Sequence, residues 1–174
     1  MKLTSLLTLI LLSLTPVKSA LAAASWWSAN AATATPHVQV DGSVRSKTFD
    51  LGAHGRGVRH LDGLNGTIYL YLPVTANNAE TFSKVGLRAE DNTVNGFVRA
   101  EFIRQSRNAN AAPAVVLGSV TTANIPGDGF QFVSSPFAPV TLDLSQFTYY
   151  IRISLSKNVA AEPNVTAYDV SLEP

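Results

Sequence analysis

The chain has 174 residues, of which 13 are Lys or Arg and 12 are Asp or Glu, and it contains no cysteine. The lack of cysteine excludes a disulfide framework, a thiolate metal site and a cysteine nucleophile. The balance of charges differs from the basic surface of a nucleic-acid-binding protein, so no nucleic-acid partner is expected.

The first residues have the three parts of a secretory signal peptide. Lys2 supplies the positive charge, Leu3 to Leu14 form a short apolar run, and Ala20-Leu21-Ala22 fits a cleavage site. We therefore predict a signal peptide over residues 1–22, cleaved after Ala22 or Ala24. A membrane-spanning helix needs roughly 20 apolar residues, so the processed chain is not expected to be an integral membrane protein. Export without cysteines predicts a secreted or periplasmic bacterial protein.

Beyond residue 25, apolar residues recur with period two rather than with the 3.6-residue period of a helix. Residues 23–36 are low in complexity and are predicted to form a loose lead-in to one domain, residues 37–174. Strands are predicted at residues 37–40, 44–51, 66–72, 82–89, 97–104, 114–121, 129–133, 138–143, 147–155 and 165–172. Many short strands separated by turn residues predict an all-β fold, an antiparallel two-sheet sandwich of jelly-roll type with about 8–10 strands.

The segment at 147–155 shows the alternation most clearly. Its odd-numbered residues, from Phe147 to Leu155, are all apolar, whereas Tyr150 and Arg152 lie among the even-numbered ones. Successive side chains of a strand point to opposite faces, so one face of this strand should be buried and the other should face outwards.

Several of these motifs occur in the same order in a known group of proteins. They are Ile68-Tyr69-Leu70-Tyr71-Leu72-Pro73, the Asp91-Asn92 turn, the strand from Phe97 to Phe102, Asp143, the strand from Phe147 to Ile153, and the last strand from Val165 to Leu172. With them, the segment from Leu64 to Leu172 resembles uncharacterised exported bacterial proteins in which a signal peptide precedes a single jelly-roll-like β-sandwich domain. The resemblance implies the fold and implies no activity or site.

A glycine-rich stretch at residues 52–62 carries His54, Arg56, Arg59 and His60. The two histidines would lie roughly 20 Å apart on a straight strand, so they could ligate one zinc or copper ion only in a bent loop. The neighbouring arginines repel a cation, and together with the free backbone amides they fit an anion instead. A surface loop without a ligand is the third interpretation. Neither a metal nor a cofactor is predicted.

Glycoside hydrolysis needs two carboxyl groups about 5–10 Å apart. The candidates are Asp50, Asp62, Glu90, Asp91, Glu101 and Asp169. Glu101 and Arg99 are two residues apart on one strand face, which favours a surface ion pair. No nucleophile motif is present in the sequence. A small secreted, glycoside-directed hydrolase therefore remains the alternative function, behind a non-catalytic one.

Carbohydrate binding by a sandwich domain depends on aromatic side chains that face solvent, since such rings are apolar in the middle and polar at the tip. Tyr69 and Tyr71 lie opposite the apolar face of their strand, as Tyr150 and Arg152 do on theirs. These four residues are the candidate ligand-binding set. Loops that covered the strands would bury both faces and remove this function.

The charge of the processed chain favours association. Removing Lys2 and Lys18 leaves 11 basic residues against 12 acidic ones, and a nearly neutral surface promotes contact between molecules. We therefore predict an exported, non-catalytic β-sandwich that acts by binding or association, with a polysaccharide, a protein or a second copy of itself as the partner.

Overall fold

The computed structural model describes residues 26–36, 49–51, 57–60, 65–108, 113–123, 125, 129–163 and 165–174. These residues form strands and one 3-10 helix, Ala31–Thr33. The strands are β1 (Trp27–Asn30), β2 (Thr35–Pro36), β3 (Phe49–Leu51), β4 (Val58–His60), β5 (Gly66–Pro73), β6 (Thr81–Asp91), β7 (Phe97–Ser106), β8 (Val115–Thr121), β9 (Phe130–Thr141), β10 (Phe147–Lys157) and β11 (Val165–Glu173). Within these ranges no helix has the length and apolar character needed to cross a membrane.

The strands build two antiparallel sheets that pack face to face. Sheet I has the order β3-β4-β11-β6-β9, and sheet II has the order β2-β5-β10-β7-β8. Strand β1 also joins sheet I, where it pairs with residues 169–172 of β11 while β4 pairs with residues 166 and 167. The predicted all-β, jelly-roll-like sandwich is therefore confirmed, with eleven strands in the described residues.

The core lies between the sheets and is filled by alternate residues of the central strands. On β10, Ile151, Ile153 and Leu155 have no exposed surface, as the sequence alternation predicted. Leu87 of β6 and Val170 of β11 are equally buried and belong to the same cluster. Full burial of such a side chain contributes roughly 1.5–3 kcal/mol. The other face of each central strand is thereby directed away from the core.

The prediction of a loose lead-in is wrong for residues 26–36. Trp27 is only 7% exposed and belongs to the core, and its indole Nε1 donates a hydrogen bond of 3.3 Å to Thr75 Oγ1. Asn30 caps the 3-10 helix, because its Oδ1 accepts from the backbone N of Ala32 at 2.8 Å. Burial of the large indole ties the segment to sheet I, so the ordered domain includes Trp27.

Strand β9 also differs from its prediction. Segments 129–133 and 138–143 were predicted as two strands, whereas residues 130–141 form one. Pro136 and Pro139 are accommodated because β9 is an edge strand with an irregularity opposite Phe82 and Lys84 of β6. The predicted strand 37–40 and the first part of 44–51 lie outside the described residues, and β3 covers 49–51.

The Asp91 turn joins the two sheets. The Asp91 carboxylate accepts from the backbone N and the hydroxyl of Thr93, at 3.1 and 2.7 Å, and from the Thr122 hydroxyl. Thr122 Oγ1 in turn accepts from the backbone N of Val98 at 2.9 Å. Both Asp91 and Thr122 are buried. The network therefore supplies partners to polar groups that would otherwise be unpaired inside the protein.

Candidate functional site

The four residues predicted to bind a ligand lie together on the outer face of sheet II. Strands β5 and β10 are neighbours, and their register places Arg152 opposite Tyr71. Tyr69 lies two residues away on β5, and Tyr150 lies two residues away on β10, so both are on the same face as this pair. We call Tyr69, Tyr71, Tyr150 and Arg152 the tyrosine face. Pairing of the strands brings together residues that are about 80 positions apart in the sequence.

Glu101 borders the tyrosine face and pairs with its arginine. Glu101 of β7 lies opposite Arg152, whose Nε donates to Glu101 Oε2 at 2.7 Å. This hydrogen bond is the main reason why the pKa of Arg152 is raised above its ordinary value. The predicted ion pair between Glu101 and Arg99 is wrong, because the Arg99 guanidinium lies 4.8 Å from the centre of the Phe97 ring. A residue two positions away on the same strand is a less favourable ion-pair partner for Glu101 than the residue directly opposite on the next strand.

The three tyrosine rings differ in exposure and orientation. Tyr69 is 42% exposed, and the guanidinium carbon of Arg152 lies 5.7 Å from the centre of its ring. Tyr71 and Tyr150 are half-buried, with ring centres 5.6 Å apart and planes tilted by 60°. Burial raises the pKa of the Tyr150 phenol, which stays neutral at physiological pH. The face is therefore open, but its rings are not coplanar.

This arrangement combines the chemical groups that a sugar ring requires. An aromatic ring has a negative face, against which the C–H groups of a pyranose can pack. Phenol, guanidinium and carboxylate groups can exchange hydrogen bonds with hydroxyl groups at the edge of the sugar. The charges of Arg152 and Glu101 cancel, so the face favours a neutral ligand.

The second predicted group, the loop with His54, Arg56, Arg59 and His60, is described only in part. His54 and Arg56 lie outside the described residues. His60 is 1% exposed on the inner face of β4, where its Nε2 is 3.2 Å from the carbonyl oxygen of Gly66. Arg59, the adjacent residue, lies on the opposite face and is half-buried. The structure thus does not bring these two side chains together, and within the part of the chain that it describes no group of three or more His, Cys, Asp or Glu could hold a metal ion.

Four candidate catalytic carboxylates have partners close to them, namely Glu90, Asp91, Glu101 and Asp169, whereas Asp62 and the side chain of Asp50 lie outside the described part of the chain. Glu90 accepts from the Tyr168 hydroxyl at 2.7 Å and from Asn92 Nδ2 at 3.0 Å. Asp169 forms an ion pair of 3.4 Å with Arg88. Asp91 is buried in its turn and Glu101 is paired with Arg152, as described above. These contacts give each group a structural role, and the hydrolase alternative gains no support from them.

Comparison with known proteins finds similar solved structures. No protein-family model and no curated protein matches the sequence. The xylan-binding module CBM15 is similar with a TM-score of 0.50 and 8% identity, over 86% of this chain and 96% of that one. A β-1,3-glucan-binding CBM6 from Bacillus halodurans has a TM-score of 0.49 and 13% identity, over 84% and 94% of the two chains. The C-terminal CBM6 of LamC from Zobellia galactanivorans has a TM-score of 0.45 and 12% identity, over 86% and 100%. At 8% identity, the similarity to CBM15 shows the sandwich fold alone.

Proposed function

We propose that this chain is an exported, non-catalytic module that binds a neutral polysaccharide on its tyrosine face. The observation that carries the proposal is the pair formed by Tyr71 and Tyr150, whose rings lie 5.6 Å apart beside an arginine that is held by Glu101. Rings and balanced charges on one open sheet face match the mixed apolar and polar surface of a sugar chain.

The exposed ring of Tyr69 extends the surface along β5. Its side chain and that of Tyr71 leave the same face of the strand, and residues two apart in a strand are separated by about 6.6–6.8 Å. Two rings at this spacing can contact successive parts of an extended ligand. A polysaccharide fits such a row better than a single small sugar does.

The fixed position of Arg152 favours affinity. Its guanidinium donates to Glu101 on one side and interacts with Tyr71 and Tyr69 on the other. A side chain that is already ordered loses little conformational entropy when a ligand binds, which otherwise costs about 0.5–1.5 kcal/mol for each immobilised long side chain. The arginine therefore presents its remaining N–H groups in a set direction.

The fold and the predicted export agree with this function. CBM15, which shares the sandwich fold at a TM-score of 0.50, is a xylan-binding module, so a sandwich of this kind can carry a polysaccharide site. The predicted signal peptide at residues 1–22 lies outside the described residues. Its cleavage would release the domain into the periplasm or the medium, where polysaccharides of the envelope and of biomass are found.

Affinity electrophoresis of the chain from Ser25 to Pro174 tests the proposal. Native gels that contain xylan, β-1,3-glucan or hydroxyethylcellulose should retard the wild-type protein in at least one case. Tyr71→Ala combined with Tyr150→Ala should lower the association constant about tenfold or more, equivalent to about 1.4 kcal/mol. Val94→Ala is the matched control, because Val94 is 90% exposed in the turn after β6 and should have no effect.

Two results would overturn the proposal. One is a wild-type protein that migrates identically with and without each polysaccharide. The other is a double tyrosine variant, shown to be folded by circular dichroism, that is retarded as strongly as the wild type. If no polysaccharide retards the wild type, recovery of one protein from a pull-down would favour a protein partner instead.

A further inference from the structure

The outer face of sheet I, on the opposite side of the sandwich, carries a second row of polar and aromatic side chains. Strand register places Asn30 opposite Asp169, Asp169 opposite Arg88, and Arg88 opposite Phe132. The row thus crosses β1, β11, β6 and β9. Together with Phe130 and Tyr168, these residues form what we call the phenylalanine face.

The aromatic rings of this face are open to solvent. Phe130 is 56% exposed and Phe132 is 57% exposed, and both leave the same side of β9. Beside them is a groove lined by Asn30, Arg88, Phe130, Tyr168 and Asp169. Exposed aromatic rings beside a groove form the kind of surface at which proteins bind ligands or partners.

The groove has aromatic walls and polar groups between them. The centres of the Phe130 and Tyr168 rings are 5.3 Å apart, with planes tilted by 53°. The Arg88 guanidinium carbon lies 4.9 Å from the Phe130 ring centre, and its NH1 is 3.4 Å from Asp169 Oδ2. Charge on the guanidinium is balanced by the carboxylate, so the groove offers donors and acceptors to a neutral ligand.

The rings are held in place by their surroundings. The backbone N of Gly129 donates to Asn92 Oδ1 at 2.7 Å, which ties the start of β9 to the turn after β6. Phe132 lies over Gly86 of β6, where an added Cβ would come within 3.2 Å of its ring. Because Gly86 has no side chain, the ring can lie close to the sheet and present its other side to solvent.

We infer that the phenylalanine face is a second polysaccharide-binding surface, so that one chain holds two sugar chains. The inference rests on the proposed function for the class of ligand, but its location rests on the side chains of sheet I alone. An apolar partner would bury Arg88, Asp169 and Asn30 without offering hydrogen bonds to their remaining polar atoms, which is unfavourable. A nucleic acid would require an excess of positive charge, which the Arg88–Asp169 pair does not supply.

The two faces point in opposite directions, which determines how a protein with two binding surfaces can act on polysaccharides. Stacked sheets are about 10 Å apart, and the tyrosine and phenylalanine faces lie on their outer surfaces. A single extended glycan on one face cannot contact the other without passing around the sandwich edge. Occupation of both faces therefore joins two polysaccharide chains, and the protein acts as a cross-link.

Isothermal titration with soluble oligosaccharides measures the number of sites directly. Xylohexaose and a β-1,3-glucan hexaose are titrated into the wild type, into Tyr71→Ala with Tyr150→Ala, and into Phe130→Ala with Phe132→Ala. We expect two sites per chain in the wild type and one in each double variant. Removal of the Phe130 and Phe132 rings, which are more than half exposed, should leave the fold intact. Thermal melting of both double variants checks that they are folded. Sedimentation velocity establishes that the titrated species is a monomer.

The outcomes separate this inference from the proposed function. One wild-type site that is lost only in the tyrosine variant would support the proposed function and overturn the inference. One wild-type site that is lost only in the phenylalanine variant would overturn both the tyrosine-face proposal and the inference of two sites. The single glycan site would then lie on sheet I. A phenylalanine variant with two sites would overturn the inference, and absence of binding to both hexaoses would overturn it as well.

Discussion

Arg152 and Glu101 face each other across β10 and β7, and the Arg152 Nε donates to Glu101 Oε2 at 2.7 Å. The guanidinium side chain is 33% exposed and the carboxylate side chain is 12% exposed. The pair thus lies at the boundary between the sheet and solvent, where a ligand on the tyrosine face can reach the arginine. Its contribution to binding can be separated from its contribution to stability.

Glu101→Gln should weaken polysaccharide binding more than it weakens the fold. The substitution keeps the shape of the side chain but removes the charge that orients Arg152, so we expect a loss of about three- to tenfold in association constant, about 0.7–1.4 kcal/mol. A partly exposed ion pair contributes roughly 0–1 kcal/mol to stability, so the urea midpoint should change little. Glu162→Gln, in the loop after β10, is the control, and equal losses of binding in both variants would contradict the prediction.

The adjacent tryptophans provide a matched test of the N-terminal segment. Trp27→Ala should lower the free energy of unfolding by about 3–5 kcal/mol, because Trp27 is 7% exposed and fills part of the core. Trp26→Ala should change it by less than about 0.5 kcal/mol, because Trp26 is 69% exposed. Urea unfolding followed by circular dichroism measures both values. A loss for Trp27→Ala as small as that expected for Trp26→Ala would show that β1 does not contribute to the folded core.

The Thr122 hydroxyl should be required for stability. In Thr122→Val, the buried Asp91 carboxylate loses a donor and the backbone N of Val98 loses its side-chain acceptor. An unpaired buried polar group costs about 1–3 kcal/mol, which is the loss expected in the free energy of unfolding. Thr122→Ser keeps the hydroxyl, so it should retain most of the free energy of unfolding that Thr122→Val loses. If the valine and serine variants unfold at the same urea concentration, the network has no measurable effect.

Tyr168 should make stability depend on pH in the alkaline range. Burial, and then the hydrogen bond to Glu90, raise the pKa of Tyr168 from 10.0 to about 12. Since the folded state holds the proton more tightly, this stabilisation is complete below pH 10 and is lost as the pH rises from 10 through 12. The free energy of unfolding of the wild type minus that of Tyr168→Phe should therefore fall across this range. A difference that stays constant between pH 9 and 12 would contradict the assignment.

Much of the tyrosine face could be predicted from the sequence, because alternation is a local property. Tyr69, Tyr71, Tyr150 and Arg152 each lie on the polar side of an alternating strand, and the structure places all four on the outer face of sheet II. Glu101 was predicted to pair with Arg99 because that residue is close in sequence. Its partner is Arg152 because β7 and β10 are neighbours, and the alternation within one strand does not contain that information.

The phenylalanine face could not be predicted in the same way. Phe130 and Phe132 alternate with Gln131 and Val133, so alternation alone would assign the more apolar phenylalanine side to the core. Val133 is 7% exposed, while both phenylalanines are more than half exposed. Pairing with β6 decides this, since Val133 lies opposite the buried Leu87 and Phe132 opposite Arg88.

The sequence by itself determined the all-β class and the inward and outward sides of the strands with clear alternation, because these depend on side chains two residues apart. Only the tertiary structure decided which strands are neighbours, that Trp27 belongs to the core, and that Arg152 meets Glu101. Those contacts join residues far apart in the chain, and their register is set by packing across the two sheets. The same packing places the tyrosine and phenylalanine faces on opposite sides of one small domain.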